Sequence, residues 1–153
     1  MQKKKGFTLI ELLVVIAIIG ILAAIVLVSV RTGPQRAKDA RIISAMAQAR
    51  TTAVEIYAEN NSDYSSLCDT TDNSFNDDNY SGSADIKDSL TAIEDDIEGN
   101  MPTGGSIACY ASTNSYCVTA SLNKTGKYYC IDTNKAKEVS NPCTSATDKC
   151  DNL

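Results

Sequence analysis

Between Leu12 and Val30 the chain runs nineteen residues without a formal charge, and no other feature constrains its fold so strongly. As a helix rising about 1.5 Å per residue, this run nearly spans the ~30 Å apolar core of a bilayer. In lipid the backbone must satisfy its own hydrogen bonds, so the run is helical despite its many β-branched residues. Lys3, Lys4 and Lys5 precede it, which favours a cytoplasmic N-terminus and an exported remainder. A secretory signal would need a small-residue cleavage site at the far end of a short apolar core. Val28-Ser29-Val30 fits that pattern poorly, and Arg31 follows at once.

The helical pattern continues past the apolar run. From Ala37 to Tyr57 there is no Gly or Pro, and two apolar rows recur at helical spacing. One is Ile43, Ala47, Val54 and Tyr57; the other is Ile42, Met46, Ala49, Ala53 and Ile56. Gly33-Pro34 marks a kink or softened turn between the halves. The expectation is a helix from Phe7 to about Asn60, apolar on all sides over 7–30 and amphipathic over 31–60. Gly20, with Ala17, Ala23 and Ala24, lets neighbouring helices approach closely.

Charge is segregated along the chain. The net charge is −5, yet residues 31–50 are basic, whereas Glu55 to Glu98 holds thirteen acids against Lys87 alone. This acidity argues against nucleic acid as a partner. The chain has no His, which removes the commonest general base, the usual catalytic triads and most zinc sites. Glu94, Asp95, Asp96 and Glu98 read as the wet face of a helix rather than a catalytic carboxylate pair. Asn60, Asn79 and Asn123 open N-x-S/T triplets, which chance supplies in a chain so rich in Asn and Ser. Nothing implies a cofactor.

Residues 61–153 read as a small α+β head. Asn60-Asn61-Ser62-Asp63 ends the long helix and a loop follows. Ser83 caps a short helix carrying Ile86, Leu90, Ile93 and Ile97 on one face, with Gly99 as its stop. Period-two patterns then predict four strands in an antiparallel meander: SIACYAS, SYCVTASL, KYYCIDT and AKEVS. One sheet face lies on the apolar arc of the long helix, the other against solvent or the acidic loop. With 6% aromatics the core is small, so the six cysteines are expected to staple it.

Cys68, Cys109, Cys117, Cys130, Cys143 and Cys150 form no C-x-x-C pair, which disfavours zinc and thioredoxin-like chemistry. Export favours up to three disulfides, for which 15 pairings exist. The expected set is Cys143–Cys150, Cys109–Cys117 and Cys68–Cys130, with Cys117–Cys130 as a competitor across the second hairpin.

Glu11 stands near the head of the apolar run, five residues after Gly6. A cut between Gly6 and Phe7 would remove the lysines, take the net charge from −5 to −8, and create an α-ammonium on Phe7. In an array of parallel helices with a short axial stagger, the ammonium of one copy can meet the Glu11 carboxylate of the next. A paired charge in hydrocarbon costs far less than a lone one, and a polar pair also sets axial register.

KKKGFTLIELL, followed by a glycine-interrupted apolar helix, closely resembles the signal of type IV pilins and pseudopilins from Lys3 to Val30. The resemblance implies prepilin peptidase cleavage after Gly6, N-methylation of Phe7, a register role for Glu11, and loosening of the helix at Gly20. Many family members have a proline near the position of Val28, so softening here passes to Gly33 and Pro34. It also implies the layout: a leader (1–6), a transmembrane and polymerisation helix (7–30), its amphipathic half (31–60) and an exported, disulfide-stapled head (61–153).

The function implied is that of a pilin, with adhesion, motility or DNA uptake belonging to the filament. A pseudopilin of type II secretion is the alternative, and an anchored enzyme or redox module a remoter one. The partners would be other copies, the prepilin peptidase, the assembly machinery and, before assembly, the inner membrane. Pseudopilins also resemble one another in a calcium loop, for which Asp72, Asp77 and Asp78 could offer oxygens here. Their spacing is not an EF-hand's and the loop glycine is missing, so they read by default as solvated acids and no metal is expected.

Overall fold

The computed structural model describes residues 6–30, 33–145 and 149–150, with the side chains of 27–30 excepted. It divides into two compact units, Met1–Gln35 and Arg36–Leu153. In the first, helix α1 runs from Leu9 to Val30, unbroken at Gly20 and at Val28. Its segment Leu9–Val26 is long and apolar enough to cross a membrane. Whether the helix is continuous with the next lies outside the described residues, because 31–32 separate them.

Helix α2 covers Gly33–Glu59. Pro34 falls in its first turn, where a missing N–H costs nothing. At its other end Asn61 and Ser62 have φ of 51° and 70°, and Ser62 N–H returns to the Tyr57 carbonyl at 2.9 Å. This left-handed reversal closes the helix where the Asn-rich stretch predicts.

Helix α3, Ala84–Asn100, starts as expected: Ser83 Oγ accepts the Ile86 N–H at 3.4 Å. It does not stop at Gly99. The end comes at Met101, extended at φ −65° and ψ 156°, because a residue before proline is driven out of the helical region.

Strands β1 (Ile107–Ala111), β2 (Tyr116–Ser121), β3 (Tyr128–Asp132) and β4 (Ala136–Val139) form the expected antiparallel meander in the order β1-β2-β3-β4. Every residue of β2 is buried. Tyr116, Val118 and Ala120 join Ile131 and Cys109 in one core with Ile42, Met46 and Ile56 of α2 and the Ile86–Ile97 face of α3. The opposite face, expected from sequence to lie against solvent or the acidic loop, is covered instead. There Cys117, Cys130, Val139, Cys143 and Cys150 make a second, small cluster beneath the C-terminal segment.

The disulfides are Cys68–Cys109, Cys117–Cys143 and Cys130–Cys150, so all three expected pairings fail, as does the Cys117–Cys130 competitor. The faces of the sheet explain two of these misses. Cys109 faces Val118 and Cys117 faces Tyr110, so these two cysteines lie on opposite faces of the sheet. Cys130 shares the outer face with Cys117, whereas Cys68 packs in the inner core, and the sheet separates them. Cys117 and Cys130 do share a face, but diagonally, with their sulfurs 3.7 Å apart. Each instead holds a different point of the C-terminal segment. Thr119 Oγ1 accepts the Cys143 N–H at 3.0 Å and buried Asp132 Oδ2 accepts the Cys150 N–H at 2.8 Å.

Non-reducing peptide mapping is expected to return these three links. Cys117→Ser with Cys143→Ser should destabilise the protein by about 3 kcal/mol, the closure entropy of a loop of this order. Unchanged thermal unfolding would show that the C-terminal segment is held by other means.

Candidate assembly site

The candidate residues at the start of the chain gather around the first turn of α1. Thr8 is the cap: its carbonyl accepts the Leu12 N–H at 3.4 Å, the first bond of the helix. Its hydroxyl accepts the Glu11 N–H at 3.4 Å and donates to Glu11 Oε2 at 2.7 Å. Glu11 Oε2 also accepts the Thr8 N–H, at 2.9 Å. This is a capping box, two orphan donors of a helix start satisfied reciprocally, with the carboxylate at the positive end of the helix dipole. Glu11 of a single copy is therefore not left unpaired, as the sequence reading assumed. One oxygen is committed to Thr8, and Oε1 has no hydrogen-bond partner among the described residues. Thr8 was missed from sequence, although T-x-x-E before an apolar run (Thr8 to Glu11) is its signature.

Neither glycine of this region is required by the chain's own packing. A Cβ added at Gly6 or at Gly20 would meet nothing within 4 Å. A glycine inside a helix costs about 1 kcal/mol relative to alanine, so Gly20 is retained against a local penalty. The same open space surrounds Gly33. Phe7 is 82% exposed.

Among the described residues, no three acids of the head bring carboxylate oxygens within 4.8 Å of one another. Asp72 Oδ1 is occupied by the Ser74 N–H and hydroxyl, at 3.0 and 2.7 Å, and Asp77 Oδ1 by the Asp78 N–H at 2.8 Å. Among the described residues, only Cys117, Cys130 and Cys150 bring three potential metal ligands within 4.8 Å of one another, and all are spent in disulfides. Two acids are tuned in opposite senses. Burial, then the negative charges of Asp77, Glu98 and Asp72, push the Glu94 carboxyl up to about 7. Glu59 is held below the usual range by hydrogen bonds from the Tyr80 hydroxyl, at 2.8 Å, and the Ser83 N–H. Of the N-x-S/T asparagines, Asn79 donates to Asp69, and Asn123 donates to Asp39 and to the Asn100 carbonyl.

Residues 1–27 match the prokaryotic N-terminal methylation motif. The chain is 42% identical over 66 residues to the type IV wide pilus major component PilA4 of Thermus thermophilus, which covers 43% of this chain and 50% of that protein. The N-terminal region is thus similar to that of a type IV pilus component. Fimbrial protein Q of Moraxella bovis is 47% identical over 51 residues, 33% of this chain and 32% of its own length. Fimbrial protein EcpB of Eikenella corrodens is 47% identical over 58 residues, 38% and 36% respectively. The chain thus spans half or less of the length of these relatives.

The two tuned acids of the head give stability a defined pH dependence. Glu94 has a folded pKa above its ordinary 4.5, so its contribution is full below that value and is lost as pH rises through about 7. Glu59, with a lowered folded pKa, contributes above 4.5 and loses that contribution as pH falls through its folded value. Glu94→Gln should therefore raise the Tm at pH 8 and flatten its fall between pH 6 and 8. An unchanged slope in thermal unfolding would show that Glu94 titrates normally.

Proposed function

We propose that the chain is the structural subunit of a type IV pilus, synthesised as a prepilin and polymerised through α1 after its leader is removed. The observation that carries this reading is the N-terminus itself: the methylation motif over residues 1–27, leading into an apolar helix of membrane length whose one acid sits in a capping box. On this reading residues 1–6 are the leader, 7–30 the membrane and polymerisation helix, 31–60 its amphipathic half and 61–153 the exported head. The prepilin peptidase cuts between Gly6 and Phe7, and the new terminus of Phe7 is methylated. The bare surroundings of Gly6 support this, since only an outside partner then has use for a glycine there.

Glu11 sets register. Thr8 orients its carboxylate through Oε2, which leaves Oε1 for the ammonium of Phe7 on an adjoining copy. Gly20, and Gly33 with Pro34, are where the helix softens on leaving the bilayer. The precursor lies in the inner membrane with its N-terminus in the cytoplasm, and the mature form lies in an extracellular filament that supports adhesion, motility or DNA uptake. The subunit is not itself a catalyst. Three disulfides favour an exposed filament over the pseudopilus of type II secretion, because covalent links protect a small core against shear and proteolysis.

Gly6→Leu should leave an uncut precursor in the membrane fraction, read as intact mass. A mature N-terminus starting at Phe7 in that variant would remove the leader assignment. Glu11→Ala should be cut and inserted normally, yet give no filaments in sheared surface material by electron microscopy. Filaments of ordinary length and number from this variant would defeat the register role.

A further inference from the structure

The two disulfides on the outer face of the sheet touch each other. Cys117 pairs across the ladder with Asp132, and Cys130 with Thr119, so the two cysteines stand on one face, diagonally across β2 and β3. Their sulfurs are 3.7 Å apart although each is bonded elsewhere, Cys117 to Cys143 and Cys130 to Cys150. The sulfurs of Cys117, Cys130 and Cys150 all lie within 4.8 Å of one another. The remaining disulfide, Cys68–Cys109, belongs to the inner core on the other side of the sheet.

The four outer sulfurs are held unequally. Cys117 and Cys130 sit on strands paired at five positions, from Cys117–Asp132 to Ser121–Tyr128. Cys143 and Cys150 lie on a segment whose buried cluster holds no large apolar side chain beyond Val139. Cut from the sheet at one point, that segment has little to hold it. Cys117 and Cys130 stay where the ladder puts them, each at high effective concentration for the other. Cys143 is also the least covered of the four, at 3% exposed against 0% for the other three.

We propose that these four cysteines form a two-electron redox switch: a dithiol reductant that opens one outer disulfide releases both, leaving Cys117 bonded to Cys130. A reductant thiolate attacks Cys143 Sγ, forms a mixed disulfide there, and expels the Cys117 thiolate. That thiolate attacks Cys130 Sγ across a gap that must close from 3.7 Å to the ~2 Å of a bond. The Cys117–Cys130 bond forms, the Cys130–Cys150 bond breaks, and Cys150 leaves as a thiolate and takes up a proton. The second thiol of the reductant then closes on the first, freeing Cys143 as a thiol. Two electrons and two protons pass from the dithiol to the protein, which loses one disulfide yet both covalent ties of its C-terminal segment. Opening Cys130–Cys150 first gives the same product, since the Cys130 thiolate then attacks Cys117 and expels Cys143. At the released cysteines only the hydrogen bonds of the Cys143 N–H to Thr119 and of the Cys150 N–H to Asp132 remain. The switch does not depend on the subunit reading above.

The test uses the full-length protein in detergent, treated with increasing dithiothreitol from one equivalent, trapped with N-ethylmaleimide and mapped without further reduction. Molecules that have lost one outer disulfide should carry label on Cys143 and Cys150 and a Cys117–Cys130 link, with Cys68–Cys109 intact. Label on Cys117 with Cys143, or on Cys130 with Cys150, would overturn the switch. So would loss of both outer disulfides with no Cys117–Cys130 link at any dose. Cys143→Ser gives a second reading without reductant: it should fold with Cys117 linked to Cys130 and with Cys150 as the labelled thiol. A Cys143→Ser protein that keeps Cys130–Cys150 and labels at Cys117 overturns the switch equally, and the wild-type titration decides alone should that variant not accumulate.

Discussion

Burial of β2 on both faces is the constraint from which the head follows. A strand alternates its side chains, so the run Tyr116–Ser121 must find two different covers. For Tyr116, Val118 and Ala120 the cover is large: two helices contribute isoleucine, leucine and methionine, and apolar area holds them there. For Cys117 and Thr119 it is a C-terminal segment with little apolar surface to offer. Such a segment cannot hold itself down by hydrophobic burial, nor can it leave its backbone donors unpaired against a sheet. Both difficulties are met at the same points. Cys143 and Cys150 are each tied covalently to the sheet, and the N–H of each donates to a neighbouring side chain of that face. The disulfides are therefore the second core, not a supplement to the first.

The acid in the apolar helix poses a parallel problem at the other end of the chain. A carboxylate at the head of a membrane-length segment needs partners, and a helix start has N–H groups that need acceptors. Thr8 and Glu11 solve each other's problem. That local solution also changes how the proposed register pairing works. Assembly need not rescue a bare charge. It adds a partner to an oxygen already aimed by the cap, and preorganisation of this kind lowers the cost of ordering the contact.

The long helical elements and the four strands were legible because their periodicities are unmixed: 3.6 in α2 and α3, two in the sheet. What failed depended on a single residue of register. The two-residue turn at Thr113-Asn114 sets Ser112 against Ser115, and counting back from it puts Cys109 opposite Val118. Cys109–Cys117 was therefore excludable from sequence, had parity been applied. The partner of Cys68 was not, because it depends on a loop folding over the edge of β1, where the Cys109 N–H meets the Asn73 carbonyl at 2.7 Å. Gly99 misled as a helix stop because Pro102 acts more strongly, through Met101. Thr8 was hidden by its company, since a capping signature is easily passed over when the next residues read as membrane.

The breadth of the apolar arc on α2 carries the last step. A helix with one cover needs one row, and α2 has two, of which the head uses the row through Ile42 and Ile56 along its length and the other only at Tyr57. The row through Ile43 and Val54 is used only at its end, where Tyr57 stacks on Tyr64 with ring centroids 4.4 Å apart, while Val54 stays 57% exposed. It shares that condition with the exposed side chains of α1 and with the open space around Gly20. Each is a local cost that the single subunit does not recover: exposed apolar area in two cases, helix propensity in the third. Three unrecovered costs on the helices, beside a head whose large hydrophobics are otherwise covered, agree with the assembly proposed above.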